Sequence, residues 1–380
     1  MGPIILLDKS TFQALSGLES QFLHNHFYVN IAPLLLYETI GDLSKYGEDK
    51  DRARDTVARI AKKFWILGSK INIYYSFLLH DDLLGNSPAM DGRIPISDGK
   101  PFRNKKGELG FIIEDTGEYD TIRRWAETLF TQDEESLSVQ WREGINKINL
   151  ESIKRRLKDY TKGNNPIKNF YELDNYLSKV LSDKSRQFGY LLSSFDMFDI
   201  PRDIRKKSVK RWNDFGATSF KRFAPYTFHC FKVNFYFITG LKHSLIGPRA
   251  SNWVDIQYLY YIPFSNVFTS DDKFLLDFAP MFKRPDQFVV RGTELKSDLR
   301  NIIAHWESLS DAEKHEWSYE YGSYPPENEN SIVYQLWRSL MKPKPRVGGN
   351  FALKMTPEQQ KELGKQLHDE YLEAAQQVFK

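Results

Sequence analysis

A single cysteine, Cys230, in 380 residues excludes an intrachain disulfide and any cysteine-built zinc site. Long apolar runs are missing too. The most apolar helical candidate, residues 226–246, carries His229, Lys232, Asn234 and Lys242, and nothing approaches the roughly 18 uninterrupted apolar residues of a spanning helix. No basic region precedes a long apolar core at the start, so the N-terminus does not read as a signal peptide. Charge of one sign is scarce: 53 Lys and Arg stand against 50 Asp and Glu, a net charge of +3, too close to balance to argue for nucleic acid by itself. No glycine-rich loop follows the first strand, which removes P-loop and dinucleotide readings. His24, His26 and His80 lack metal-ligand spacing with further His or Cys, and there is no internal repeat or low-complexity tract. A soluble, cytoplasmic protein without membrane contact is expected. Aromatic residues, at 14%, are ample for a core, and the length suffices for two domains.

What is present begins with Pro3-Ile4-Ile5-Leu6-Leu7, a continuous apolar run of the kind buried on both faces of a sheet. It ends in Asp8-Lys9-Ser10-Thr11, where Ser10 or Thr11 can cap a helix over 12–22. A second run, 27–31, leads through Pro33, a favourable first helical position, into Leu34-Leu35-Leu36-Tyr37-Glu38. A helix over 48–68 and a third strand over 70–75 complete a strand–helix rhythm that predicts a parallel sheet. Strands four and five are expected at 266–268 and 287–291. Residues 252–275 read as Asp255 opening an apolar helix, a stop at Pro263, the short fourth strand, and the acidic turn Thr269-Ser270-Asp271-Asp272.

A carboxylate at a strand end and another at a helix start meet on the carboxyl edge of a parallel sheet, where ligands collect. Strand-Asp at Asp8, helix-Glu at Glu38, helix-Asp at Asp255 and a T/S-x-D turn at Asp271 or Asp272 come in an order that resembles the PIN-domain nucleases. The resemblance covers about the first eighty residues and roughly 225–292. It implies an α/β, three-layer fold with parallel strands in the order 3-2-1-4-5. It also implies a metal-dependent endonuclease in which Asp8, Glu38, Asp255 and Asp271 or Asp272 hold Mg²⁺ or Mn²⁺ and position water, with Ser10 assisting. The T/S-x-D pattern fits twice, leaving Asp271 and Asp272 both open. Hard oxygen donors suit these cations, and a metal pair can activate water and stabilise the leaving oxygen of a phosphodiester. The plainer reading makes Asp8 a turn residue, Glu38 a solvated one and Asp255 a helix cap. Ser10 and Thr269 or Ser270 can orient ligands or simply cap helices.

The expected organisation is a PIN-like part at 1–85, a mostly helical insertion at 86–225 with turns and a small hairpin near its start, a second PIN-like part at 226–292, and a helical C-terminal region at 293–380. The insertion is expected to break at 161–166. The C-terminal region should contain helices at 294–309, 311–319, 330–341 and 357–379, with a linker at 342–349. Within the insertion, 201–223 is basic with interleaved aromatics, so Arg205, Lys206, Lys207, Lys210 and Arg211 are candidate nucleic-acid contacts, against the plainer reading of a solvated helix face. Lys154, Arg155, Arg156 and Lys158 form a weaker candidate. Residues 300–305, R-N-I-I-A-H, resemble the R-N-x-x-x-H pattern of the HEPN ribonucleases, which would make Arg300 and His305 a metal-independent site. His80-Asp81-Asp82 is expected near the edge of the acidic site. RNA is the expected substrate ahead of DNA, a toxin or phage-defence setting is compatible, and a non-catalytic module binding nucleic acid or protein is the contrasting class. A protein partner or a second copy of the chain stays open.

Overall fold

The computed structural model describes residues 2–64, 68–95, 100–103, 109–112, 117–159, 167–217, 219–314 and 323–341, with a few positions between 356 and 366. The first elements are β1 (Ile4–Leu7), α1 (Lys9–Ala14), α2 (Gly17–His26), β2 (Tyr28–Ile31), α3 (Pro33–Ile40), α4 (Lys50–Ala61), β3 (Ser69–Ile71) and α5 (Tyr75–Leu84). A stretch of hairpin and helices follows: β4 (Lys100–Arg103), β5 (Leu109–Ile112), α6 (Glu118–Ala126), α7 (Gln132–Asn146), α8 (Leu150–Asp159), α9 (Phe170–Leu181), α10 (Gln187–Met197), α11 (Arg202–Asp214), α12 (Phe220–Phe223) and α13 (Pro225–Lys242). The chain then returns to the sheet through α14 (Ala250–Asp255), β6 (Val267–Ser270), α15 (Lys273–Phe278), β7 (Phe288–Arg291), α16 (Gly292–Ser308) and α17 (Ile332–Leu340).

The main sheet is β3-β2-β1-β6-β7 with every pairing parallel, the order expected for the five sheet strands. β1 is its centre, and the absence of alternation in its sequence has the foreseen cause: Ile5, Leu6 and Leu7 are all buried because helices cover both faces. On one face α2 packs against α16, which in turn packs against α17; on the other, α13 lies against α5 and the 3-10 helix Ile256–Phe264. The hairpin near the start of the insertion is present, with Lys100 opposite Ile112 in an antiparallel pair. The helices that follow share the core of the sheet: α6 packs on α4, α7 on α3, and α10 and α12 on α13, and a single buried cluster runs from Ile5 to Trp337.

Three local expectations are corrected. The third strand stops at Ile71 instead of reaching 75. Asn72 ends it by giving its amide to the Asn30 side chain at 3.0 Å and accepting the Ile73 N–H at 2.8 Å, a side-chain turn that competes with the ladder. The fourth strand includes Thr269 and Ser270, which pair with β1 and β7, so these two belong to the strand and not to a turn. Asp255 closes α14 and leads into the 3-10 helix, in which Pro263 lies near the end. The linker at 342–349, most of the helix at 357–379 and the break at 161–166 fall outside the described residues. Of the helix at 311–319, only 311–314 is described, and it is helical. Among the described residues no helix is long and apolar enough to cross a membrane.

Candidate functional site

From β1 the chain steps to β2 on one side, while β6 enters on the other, so the crevice between β1 and β6 at their carboxyl ends is the topological switch point of the sheet. Asp8 stands at that point as the N-cap of α1. Its Oδ1 accepts the Thr11 N–H at 2.9 Å, and its Oδ2 accepts the hydroxyls of Ser10 at 2.8 Å and Ser270 at 2.7 Å. The Ser270 hydroxyl oxygen accepts the Asp272 N–H at 3.0 Å, and Asp272 caps α15 through the Phe274 and Leu275 amides. Asp271 makes a different contact. Its Oδ1 accepts the Thr293 N–H at 2.8 Å, at the start of α16. The two acids that fit the T/S-x-D pattern differ in their contacts: Asp272 caps α15 and acts electrostatically on Asp255, while Asp271 anchors the start of α16. Thr269 is buried in the strand, and its hydroxyl has no hydrogen-bond partner among the described residues.

The remaining acids arrive from helices. Glu38, half-buried on the second turn of α3, accepts a hydrogen bond from the Tyr258 hydroxyl. Burial pushes its pKa up to about 7, with Lys9 and Tyr258 opposing and Asp8 and Asp42 adding to the rise. Asp255 is pushed up to about 8, first by burial and then by the charges of Glu38, Asp272 and Asp8, with Arg249 opposing. Four acids from positions 8, 38, 255 and 272 therefore share one electrostatic neighbourhood although they span most of the chain.

Such a set fits a hard divalent cation by donor type and by charge, since a cation relieves the repulsion that raises the pKa values. Among the described residues, however, no three His, Cys, Asp or Glu side chains stand together in a ready coordination group. The reason lies in the hydrogen bonds: Asp8 and Asp272 are turned to helix amides and serine hydroxyls, and Glu38 to Tyr258. Asp255 alone of the four has no hydrogen-bond partner among the described residues, and it would be the first to engage a cation.

Several neighbours were not foreseen. Tyr258 follows Asp255 by three residues, the spacing that places side chains in line on a 3-10 helix. Lys9 donates to the Glu38 carbonyl at 2.8 Å and to buried Asp42 at 2.7 Å. Arg249 lies close enough to Asp255 to oppose its shift, is exposed, and forms no ion pair with a described residue. Adjacency to Asp8 was the only sequence signal for Lys9, and none pointed to Arg249.

The other candidates lie elsewhere. On α11, Arg205 is bound to Asp196 and to the Phe195 and Ile200 carbonyls. Arg211 donates to the carbonyls of Asp82, Leu83 and Phe223. Both arginines thus serve packing, and Lys206, Lys207 and Lys210 are the exposed members. Contrary to expectation, Asp82 is not near the acidic site. It lies near the C-terminal end of α5, about 10 Å along the helix from the end nearest the carboxyl edge, and accepts the Thr227 N–H and hydroxyl at 2.7 and 2.8 Å. Arg300 donates to Glu19 at 2.6 Å, a carboxylate that also completes the capping box of α2, while Ile302 and Ile303 face the core and His305 is exposed. That is the pattern of an amphipathic structural helix. His24 and His26 are buried against backbone carbonyls at 2.7 and 2.9 Å. Of the weaker basic candidate, Lys154 and Arg155 lie on α8, and the side chains of Arg156 and Lys158 are outside the described residues.

No family model, curated protein or solved structure matches the chain.

Proposed function

We propose that the chain is a metal-dependent endonuclease of the PIN-like kind, hydrolysing phosphodiester bonds at the crevice between β1 and β6, with RNA ahead of DNA on the strength of the sequence resemblance. The observation that supports this reading is that Asp8, Glu38, Asp255 and Asp272, from four separate elements of a parallel-sheet fold, act electrostatically on one another. Asp8, Asp255 and Asp272 would hold Mg²⁺ or Mn²⁺, with Glu38 beside them. When bound, the cation supplies a water of lowered pKa and a charge for the leaving oxygen. Ser10 and Ser270 fix the Asp8 carboxylate, and Tyr258 fixes that of Glu38, so the acids keep their orientation as charge enters the site.

The test is cleavage of RNA and DNA panels with Mn²⁺, Mg²⁺ or EDTA, using wild type, Asp272→Asn and Asp271→Asn. The expected result is metal-dependent cleavage lost in Asp272→Asn and retained in Asp271→Asn. Cleavage that survives EDTA, or that survives Asp272→Asn, overturns the reading.

A further inference from the structure

Beside the acidic crevice, three separate segments bring aromatic rings together. Tyr37, the neighbour of Glu38 on α3, stacks on Trp141 of α7, with centroids 5.8 Å apart and planes 20° from parallel. It also meets the edge of Tyr74 at 5.9 Å, and Tyr74 touches Tyr75 at 4.7 Å where the chain leaves β3 for α5. All four residues are half-buried, and Phe77, a few residues along, is 62% exposed. Part of each of these four side chains stays open to solvent while the rest packs against neighbouring rings and the core.

The charge next to this shelf is equally uneven. Asp42, only 2% exposed, is within 4.0 Å of Lys9, Lys45 and Arg142. Three cations share one carboxylate, and the Lys45 and Arg142 side chains are 41% and 38% exposed. Arg142, the helix residue next to Trp141, also donates to the Gly41 carbonyl at 3.0 Å, and Lys45 follows the 3-10 turn Gly41–Ser44, so two partly exposed cations stand beside the rings.

We propose that this surface binds single-stranded nucleic acid, with unpaired bases on the ring faces of Tyr37, Trp141 and Tyr74 and backbone phosphates on Arg142 and Lys45. Aromatic faces stack on every base, and exposed cations follow the backbone; a duplex keeps its bases in its own stack and offers them to no ring. The inference rests on the nuclease reading for its purpose: a strand laid here passes the acidic crevice. It also places the binding surface on α3 and α7 and not on α11.

The experiment measures binding in EDTA, where the chain would not cut, using single-stranded oligonucleotides with bases, abasic strands of equal length, and duplex. Wild type is expected to prefer the base-containing strand over the abasic strand and the duplex by about 10-fold or more. Tyr37→Leu with Tyr74→Leu keeps apolar volume and should reduce that preference to under about 2-fold. Arg142→Gln with Lys45→Gln should weaken the base-containing and abasic strands equally. Unfolding curves of each variant separate lost binding from lost fold. Equal wild-type affinity for base-containing and abasic strands, or a preference kept by the folded tyrosine variant, overturns the proposal. Mn²⁺-dependent hydrolysis of a small phosphodiester, bis(p-nitrophenyl) phosphate, reads the acidic site separately. Hydrolysis without base preference removes the shelf alone, and base preference without hydrolysis removes the nuclease reading alone.

Discussion

Asp255→Asn should make the protein more stable in metal-free buffer, and increasingly so as pH rises. The Asp255 carboxyl titrates near 3.8 in the unfolded chain and near 8 in the folded site. The folded state therefore holds a proton that the unfolded state has released. Stability contributed by this group is complete below pH 3.8, declines as pH rises, and is lost above about pH 8. At about 1.4 kcal/mol per pH unit, the full difference corresponds to about 6 kcal/mol, of which about 2–3 kcal/mol should remain once water and side chains relax around the charge. Asparagine carries no such charge, and with no hydrogen-bond partner at Asp255 there is none to lose. Urea unfolding in EDTA at half-unit steps from pH 4 to 9 measures it. The two proteins should be alike near pH 4 and differ by about 2–3 kcal/mol near pH 9, with Mn²⁺ stabilising wild type far more than the variant. Curves that run parallel across the whole range would show that the four acids are not held together, and would remove the premise of the site.

Two further outcomes follow from neighbouring contacts. A Cβ on Gly292 would lie 2.6 Å from Thr11 Cγ2 and 2.8 Å from Asp271 Oδ2, so Gly292→Ala should lower stability by about 1–3 kcal/mol, and an unchanged urea midpoint would contradict this close approach of α16. Tyr258→Phe removes the donor to Glu38, one of the two influences that lower its pKa, so Mn²⁺ affinity at pH 7 should fall about 10-fold by calorimetry and partly recover at pH 8.5; equal affinity in both proteins would deny the tyrosine a role in orienting Glu38.

The sheet was legible because its signals are local. The apolar run of β1 and the Pro33 entry to α3 are short patterns with one good solution each, and parallel strands separated by helices leave few alternative orders. The places of the Asp8 and Glu38 carboxylates followed from those elements. Asp271 and Asp272 could not be separated from sequence, since both satisfy the pattern; the separation depends on α16 arriving at Thr293 to receive Asp271. Arg205 and Arg211 misled for the same reason. Their charge is visible in the sequence, but the carbonyls of Phe195, Ile200, Leu83 and Phe223 that hold them come from helix and loop ends brought close only by folding. The aromatic shelf was hidden because Tyr37, Tyr74 and Trp141 lie on three segments with no shared motif.

The four acids also divide by local backbone, which explains why a shared neighbourhood is not yet a coordination group. Asp8 and Asp272 each sit at the start of a helix and receive amide hydrogens there. Asp255, at the junction of α14 and the 3-10 helix, has no hydrogen-bond donor among the described residues, and Glu38 lies on a helix turn with only a tyrosine donor. Two acids are thereby tied to backbone while two retain protons near neutral pH, an arrangement that limits repulsion in the empty crevice. A cation entering it would have to displace the protons of Asp255 and Glu38 and draw Asp8 and Asp272 partly from their caps. Alanine at Asp8 or Asp272 consequently mixes loss of a ligand with loss of a helix cap, about 1 kcal/mol in most helices, whereas asparagine keeps the cap. Asp255 is the position where the charge can be removed with least structural consequence.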